Sequence, residues 1–497
     1  MKKSINMMEL CLALIVFLQV HPQISAYSYD SEFYFDQKLD HFDKSNNKTW
    51  QQRYYYNDYY YTLQTEAGYP KVPLFLIVGG EKAVIDGGYT SNSPMYHFGI
   101  EYRALVMHLE HRYYGKSKPT ANLSTENLKY LSSRQAIEDI VYFTDEMKKK
   151  FGMKCNNEVV LFGGSYPGAL AAWARNMYPH KFSVAHASGA PIQAIFDFSG
   201  FSNVVRKSIE LYDENCVSVI EQGAKKQQEL MQTQDGLKNL TTKFKTCRPL
   251  EKDDLNKQAF FQKQISMIST VAQYNGTGTQ DIPAMCKLLT EGYSDEDEPI
   301  DKLAKYVITT TKLTQNESCT GYNYHSNIKY LKETDWKEGG TSRQFLWQEC
   351  TEFAWFLTSN QNSSLFANTL GTDFYIKQCA DVFGDKFTKA FIEEEIKSTN
   401  SYYGGRRNYN QSKCLFTQGQ LDPWQAAGIT EDNDKKGYKA LIMKNLGHVR
   451  DQEAESDSDP PELVEAREDI KKVLRGWIEA FNFGQNPNTI PPIDCGD

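Results

Sequence analysis

Residues 159–175 read VVLFGGSYPGALAAWAR. The sequence predicts a buried strand, then a tight turn at Gly163 and Gly164, and then an alanine-rich helix. Ser165 lies at the bend, so free amide N–H groups and the positive end of the helix dipole face the place where an oxyanion forms. This arrangement suits acyl transfer. However, Pro167 replaces the second glycine of the G-x-S-x-G pattern, and the five residues alone fit an ordinary strand-to-helix turn equally well.

The first 26 residues have the pattern of a secretory signal peptide. Lys2 and Lys3 form a charged start, residues 10–20 are apolar, and residues 24–26 form a small-residue cleavage site. The apolar run is too short to span a bilayer, and no later segment is long and apolar enough to do so. We therefore expect a mature protein without a membrane span, located in the secretory pathway, either extracellular or lysosomal.

Sequons and cysteines favour the same compartment. N-glycans are added to N-x-[ST] triplets, whose asparagines here are Asn47, Asn122, Asn239, Asn275, Asn316, Asn362 and Asn410. Of ten cysteines, Cys11 lies in the signal peptide. The other nine include no C-x-x-C pair, so disulfides are favoured over zinc. Because nine is odd, at least one thiol is free or pairs with another chain.

Charge and histidine spacing exclude two kinds of site. A net charge of -8 and a pI near 5.7, without a basic stripe, argue against nucleic acid as a partner. His108 and His111 flank Glu110, but on a strand positions 108 and 111 point to opposite faces, and the H-E-x-x-H order is absent. We therefore predict no metal site and no cofactor.

Strand and helix patterns alternate through the first part of the chain. An antiparallel ribbon is predicted at residues 33–41 and 50–61. Continuous apolar runs with a helix among them then indicate a parallel sheet that is covered on both faces. The predicted central strands are residues 74–78, 104–109, 159–162 and 182–187, and the predicted helix covers residues 133–150.

The pattern changes to long amphipathic helices after the fourth central strand. Two examples are residues 203–232 and 258–272, and six of the nine mature cysteines lie in this part. Strands return at residues 414–417 and 440–443, and Pro461 opens a last helix. The predicted parts are a signal peptide (1–26), the first part of an α/β domain (27–192), a helical insertion (193–407) and the second part of the α/β domain (408–497).

A serine nucleophile needs a base within hydrogen-bond reach and a carboxylate that orients the base. In an α/β-hydrolase topology both follow the nucleophile, on loops after later strands. His448 follows a C-terminal strand, and Asp422 is the carboxylate on the loop after the preceding strand. The predicted triad is Ser165, Asp422 and His448. The predicted oxyanion donors are the backbone amides of Tyr166 and of Gly80, on the loop after the first central strand.

Several short segments together point to a known family. The sequence resembles the prolyl-carboxypeptidase family of serine peptidases, which also holds dipeptidyl peptidase II and thymus-specific serine protease. The sequence of residues 109–112 and 168–170 is most similar to the thymus-specific branch. The segments that carry the resemblance are residues 35–42, 51–54, 79–81, 110–117, 163–166, 421–424 and 459–461.

The resemblance implies an α/β-hydrolase fold with a disulfide-stapled helical cap domain inserted before the catalytic aspartate. It implies exopeptidase action on peptides with proline next to the scissile bond, with Trp424 lining the proline pocket, and it suggests a homodimer. It leaves Cys155, Cys414 and Cys495 without a family partner. The implied cap disulfides are Cys216 with Cys286, Cys247 with Cys319, and Cys350 with Cys379.

Two departures from the family put strict proline preference in question. Ala169 stands where prolyl carboxypeptidase has a bulky methionine, which widens the pocket, and Lys82 replaces the usual glycine after Gly-Gly-Glu. Glu81 is a candidate to bind the free amino terminus of a peptide, and a structural role fits it equally well. Two other functions compete on the same fold, an esterase or lipase and a catalytically silent binding protein.

Overall fold

A sheet of eight strands forms the centre of the protein, in a computed structural model that describes residues 31–66, 72–278, 280–294, 296–360 and 365–478. The predicted signal peptide, Asn362 and Cys495 lie outside these ranges. Strands β7 and β8 form a separate two-stranded sheet. The strands are β1 (Phe33–Lys38), β2 (Thr49–Asn57), β3 (Leu74–Val78), β4 (Leu105–Leu109), β5 (Val159–Gly164), β6 (Val184–Ser188), β7 (Ile195–Asp197), β8 (Ala354–Phe356), β9 (Cys414–Gly419) and β10 (Lys439–Met443).

The sheet order is β1-β2-β4-β3-β5-β6-β9-β10. β2 pairs antiparallel with β1 and with β4, and the remaining neighbours are parallel. The predicted ribbon and central strands are confirmed, except that β1 already ends at Lys38, and β2 ends at Asn57 because a helix follows. Since parallel strands end at one edge of a sheet, the loops after β5, β9 and β10 meet there. These loops carry Ser165, Asp422 and His448.

Alternate residues of each central strand enter apolar cores on opposite faces of the sheet. Leu74 and Leu76 of β3 join one core, and Phe75 and Ile77 join the other. This alternation explains why the central strands are apolar throughout, as the sequence predicts. The helices of the sheet region are Tyr59–Glu66, Gly88–Ser91, Pro94–Glu101, Ser133–Lys150, Tyr166–Met177 and Pro461–Trp477.

The chain between β6 and β9, called the helical segment below, is mainly helical. The helical stretch predicted over residues 203–232 is present as two helices, because Asp213 caps the second one by accepting a hydrogen bond from the amide of Asn215. A wider π turn covers Glu349–Phe353. The α-helices are Ser199–Glu210, Glu214–Leu230, Gln234–Lys243, Asp254–Gln273, Ile282–Thr290, Pro299–Gln315, Tyr324–Leu331, Ser342–Gln348, Thr372–Phe383, Lys389–Tyr403 and Gly405–Asn408.

Three disulfides tie the helical segment together, with the pairing that the family resemblance implies. They join Cys216 to Cys286, Cys247 to Cys319, and Cys350 to Cys379. The first two close loops of 70 and 72 residues, and cross-links of this span restrict the unfolded chain. Cys155 is also disulfide-bonded, whereas Cys414 on β9 is a buried free thiol whose pKa burial raises to about 12. The expected unpaired thiol is therefore present.

The architecture is an α/β-hydrolase fold with a disulfide-linked helical segment before Asp422. One apolar core continues from the sheet into the helical segment, where it includes Cys216 and Cys379. Across the described ranges, no helix is both long and apolar enough to cross a membrane. The sheet therefore presents one edge of loops to a helical segment that shares its core.

Candidate active site

The turn after β5 holds Ser165 in a strained backbone conformation. Its φ is 66° and its ψ is -132°, a combination that is unfavourable for a residue with a side chain. The amide of Ser165 donates a hydrogen bond to the carbonyl oxygen of Ser188 at 2.7 Å. A β-carbon at Gly163 would lie 2.2 Å from the carbonyl oxygen of Pro167, which requires glycine there. The turn is therefore fixed by the neighbouring strand and by the helix that follows.

Asp422 and His448 form a buried pair after β9 and β10. The Nδ1 atom of His448 lies 2.6 Å from Oδ2 of Asp422. Oδ1 of Asp422 accepts a hydrogen bond from the amide of Trp424 at 3.0 Å, so both carboxylate oxygens are held. When Nδ1 donates to the carboxylate, Nε2 is left free to accept a proton. The amide of His448 donates to the carbonyl oxygen of Gln273 at 2.6 Å, which attaches its loop to the helical segment.

The imidazole of His448 lies against the end of β6, next to the turn that holds the nucleophile. A β-carbon at Gly189 would lie 2.8 Å from this ring, and Gly189 has a φ of 56°. Ser188, the neighbour of Gly189, accepts the hydrogen bond from the amide of Ser165. Ser165 and His448 therefore both contact the end of β6, at Ser188 and at Gly189 respectively. This arrangement allows the imidazole to act as the base for the serine hydroxyl.

A second buried acid, Asp451, supports the histidine loop, and the sequence analysis does not identify it. Its Oδ1 accepts a hydrogen bond from Oγ of Ser188 at 2.5 Å, and its Oδ2 accepts one from Oγ1 of Thr417 at 2.8 Å. Nε2 of His186 lies 3.1 Å from Oδ2. Burial acts to raise the pKa of Asp451, but these three partners lower it overall. The available signal was polar residues at the ends of apolar strands, with an acid three residues after His448.

The two predicted oxyanion donors lie at the same end of the sheet. Tyr166 is the first residue of its helix, so its amide has no acceptor within that helix. A β-carbon at Gly80 would lie 2.2 Å from Cγ of Pro167, so the loop after β3 packs directly on the start of that helix. The phenol oxygen of Tyr166 accepts a hydrogen bond from Nε2 of Gln348 at 2.9 Å and lies 3.1 Å from Nε2 of His111. The oxyanion roles stay predictions.

The carboxyl group of Glu81 is close enough to His448 to interact with it electrostatically. Burial raises the pKa of Glu81, while the charges of Lys82 and His448 act in the opposite direction. The ring of Tyr274 lies 6.1 Å from the ring of His448, and burial, with the charges of Glu81 and Asp422, raises its pKa to about 12. A desolvated acid and a neutral phenol therefore lie beside the candidate base.

Aromatic rings surround Trp424. Its ring lies 6.4 Å from the ring of His448 and within 5.3 to 5.8 Å of the rings of Phe198, Phe201 and Trp355. Its Nε1 atom is buried without a hydrogen-bond partner in the described part of the chain. Ala169 is completely buried in the core, and its proposed effect on the pocket stays a prediction. A cluster of aromatic rings around one buried indole N–H therefore adjoins the candidate triad.

The structure also places the sequons and the paired histidines. Four of the predicted asparagines are exposed, and Asn122 and Asn275 are half-buried. His108 and His111 are buried, and burial lowers their pKa values to about 3 and about 4. The described ranges hold no group of three or more acidic, histidine or cysteine side chains arranged to bind a metal ion. The exposed asparagines are Asn47, Asn239, Asn316 and Asn410.

Comparison with known proteins gives the family. Residues 37–470 match the family described as Serine carboxypeptidase S28. A Caenorhabditis elegans protein that is named a serine protease is 34% identical over 90% of this chain and 88% of its own. Human thymus-specific serine protease is 29% identical over 90% of this chain and 87% of its own. Human lysosomal Pro-X carboxypeptidase is 27% identical over 91% of this chain and 89% of its own.

These matches cover nearly the whole described chain, including the turn after β5 and the loops after β9 and β10. They confirm the resemblance that the short sequence segments indicate. The chain therefore belongs to the serine carboxypeptidase S28 family and is a serine-type peptidase.

Proposed function

We propose that the protein is a serine exopeptidase that cleaves peptides next to proline with Ser165, His448 and Asp422 as its triad. The observation that carries this proposal is the buried His448–Asp422 pair, 2.6 Å apart, against Gly189, whose neighbour Ser188 binds the amide of the strained Ser165. Membership of a serine peptidase family supports peptides as substrates.

In the proposed mechanism, Nε2 of His448 accepts the proton of the Ser165 hydroxyl while the serine oxygen attacks the peptide carbonyl carbon. Asp422 keeps the proton on Nδ1 and stabilises the imidazolium. The amides of Tyr166 and Gly80 donate to the oxyanion. The imidazolium then protonates the leaving amine as the C–N bond breaks, and water, activated by the same imidazole, hydrolyses the acyl-enzyme.

The ring cluster around Trp424 supports recognition of proline. A pyrrolidine ring is flat and apolar, and it packs well on an indole or phenyl face. The unused Nε1–H of Trp424 would donate to a carbonyl oxygen of the bound peptide, which removes the cost of leaving this buried donor unpaired. The helix Asp254–Gln273 touches the loop of His448, so the helical segment narrows access and favours chain ends over folded protein.

A location in the secretory pathway, either extracellular or lysosomal, is also proposed. The predicted signal peptide, the exposed sequons and the disulfides support it. One relative carries the word lysosomal in its name. A homodimer stays a prediction that rests on the family resemblance.

Digestion of proline-containing peptides, followed by mass spectrometry of the products, tests the activity and its direction. The wild type should release one end of each peptide, and Ser165→Ala should lower turnover by roughly 10⁴-fold or more. Peptidase activity retained by that variant would refute the triad. Faster hydrolysis of fatty-acyl esters than of peptides would favour the esterase, and failure to react with a fluorophosphonate probe would favour the silent binding protein.

A further inference from the structure

A cavity of about 470 Å³ lies in the helical segment. Its walls come from the helix Asp254–Gln273, from residues 321–327, from the π turn that begins at Glu349, and from the helix Thr372–Phe383. None of the predicted triad or oxyanion residues lines it. The cavity is therefore a separate feature that the proposed mechanism does not use.

Glu349 is an acid in the wall of this cavity. In the described part of the chain its carboxylate forms no hydrogen bond and no ion pair. Burial alone raises its pKa, to about 8. Lys263 is the cationic side chain in the wall, but its electrostatic partner is Glu317, which lies outside the cavity wall. A desolvated carboxyl group without a counter-charge is costly, and such groups are typical of ligand sites.

Aromatic rings complete the wall around this acid. Tyr322, Tyr324, Trp355, Phe374 and Tyr375 all line the cavity. The charge of Glu349 contributes to raising the pKa of Tyr375, which places the carboxyl group close to that phenol. Aromatic faces attract cations, and a carboxylate among them is the arrangement that binds ammonium and guanidinium groups.

Two contacts connect the cavity with the candidate active site. Trp355 lines the cavity, and its ring lies 5.7 Å from the ring of Trp424, which adjoins His448. The second connection is Tyr114, whose phenol interacts electrostatically with Glu81 near His448 and with Glu349 in the cavity wall. Trp355 thus separates the cavity from Trp424, and the ring distances of 5.7 and 6.4 Å together correspond to a few residues of extended peptide.

We propose that this cavity binds a cationic group of the peptide substrate, with the carboxylate of Glu349 as its counter-charge. The inference rests on the proposed function, since it takes the substrate to be a peptide. The cationic group is either the side chain of lysine or arginine, or the α-ammonium group of the peptide. Glu349 is thus a residue that determines specificity, at a site separate from the proline pocket.

Binding to the Ser165→Ala protein tests the inference without requiring turnover. Calorimetry would compare proline peptides in which lysine, or norleucine as a neutral control, occupies each position in turn, with free and with acetylated amino termini. One cationic group should improve the dissociation constant about tenfold. Glu349→Gln, combined with Ser165→Ala, should abolish that preference. Glu338→Gln is the matched control, because it removes an exposed carboxylate of the helical segment that does not line the cavity, and it should retain the preference.

A lysine preference would identify the side chain as the ligand, and loss of binding on acetylation would identify the α-ammonium group. Equal binding of all peptides, or a preference that survives in Glu349→Gln, would overturn the inference. If Glu349→Gln does not fold, the peptide series on Ser165→Ala alone decides whether a cationic preference exists. A cationic preference without any cleavage by the wild type would count against the proposed function only.

Discussion

Two acids at the sheet edge and one acid of the helical segment differ in how their carboxylates are held. At the sheet edge, Asp422 and Asp451 each have a partner at both carboxylate oxygens. In the helical segment, Glu349 has no hydrogen-bond partner within the described ranges, although burial raises its pKa to about 8. Groups that make and break bonds need fixed positions, whereas a group that binds a ligand stays unpaired until the ligand arrives. The difference separates groups suited to chemistry from a group suited to recognition.

The largest expected effect comes from Asp422→Asn. An amide at this position no longer stabilises the imidazolium of His448 and favours the wrong tautomer, so kcat/KM should fall by about 10⁴-fold. Initial rates on a proline peptide measure the loss. Asp434→Asn is the control, because Asp434 is an exposed acid on the loop between β9 and β10 and should leave the rate unchanged. A loss of less than tenfold in Asp422→Asn would show that an acid held at both oxygens is not needed for the chemistry.

Asp451→Asn tests whether the second acid at the sheet edge acts through position. The variant leaves His186 without its buried carboxylate partner, and loss of one member of a buried pair costs about 3 kcal/mol of stability. The loop that carries His448 should also loosen, so kcat should fall while KM changes little. Urea titration and steady-state kinetics measure the two effects. Lower stability with an unchanged kcat would show that Asp451 serves the fold alone.

Glu352 gives a smaller, pH-dependent effect, three residues from Glu349 on the same turn. Its carboxyl group is buried, accepts hydrogen bonds from the amide and Oγ of Ser133, and has a pKa that burial raises to about 7. Because the folded protein binds this proton more tightly than the unfolded chain, its stabilisation is complete below about pH 4.5 and is lost as the pH rises through 7. The wild type should gain about 2 kcal/mol relative to Glu352→Gln between pH 8 and pH 5.

The difference between the two proteins is the quantity to measure, because other groups also titrate. His108 and His111 have pKa values lowered by burial, so they oppose the effect of Glu352 as the pH falls below about 6.5. Both histidines are present in both proteins and cancel in the comparison. Urea midpoints at pH 5, 6.5 and 8 would suffice. A constant difference between the wild type and Glu352→Gln would contradict the raised pKa.

Sequence patterns predict the strands of the sheet, but they do not predict the side-chain contacts at its edge. The apolar run of β3 and the glycine turn before Ser165 are local signals, and parallel strand order then brings the ends of β5, β9 and β10 together. The sequence carries only a weak signal for Asp451, because its partners Ser188 and Thr417 lie on strands that pair only in the folded sheet. The helical stretch over residues 203–232 is likewise predicted without its break, because the cap at Asp213 is a signal of one residue. The surroundings of Glu349 depend on how separate helices pack, and the hydrophobic periodicity of a sequence does not predict that packing.

Glu81 is the exception at the sheet edge, because its side chain resembles Glu349 rather than Asp422 or Asp451 in how it is held. Among the described residues its carboxylate bonds only to its own backbone, and burial raises its pKa as it does for Glu349. By the reasoning applied to the helical segment, Glu81 should bind a ligand rather than hold the fold. Its position beside His448 suits the α-ammonium group of a short acyl part, as in release of a dipeptide.

Glu81→Gln should therefore lower kcat/KM about tenfold for peptides with a free amino terminus and much less for acetylated peptides. Parallel assays of Glu81→Gln and Glu349→Gln on the same free and acetylated pair would show which carboxylate senses the amino terminus. If neither variant changes the ratio of the two rates, neither acid binds the amino terminus of the peptide. Release of a residue from the carboxyl end then explains the data better. If only Glu349→Gln changes the ratio, the amino terminus binds in the helical segment. Glu81 would then have no part in binding that end of the peptide.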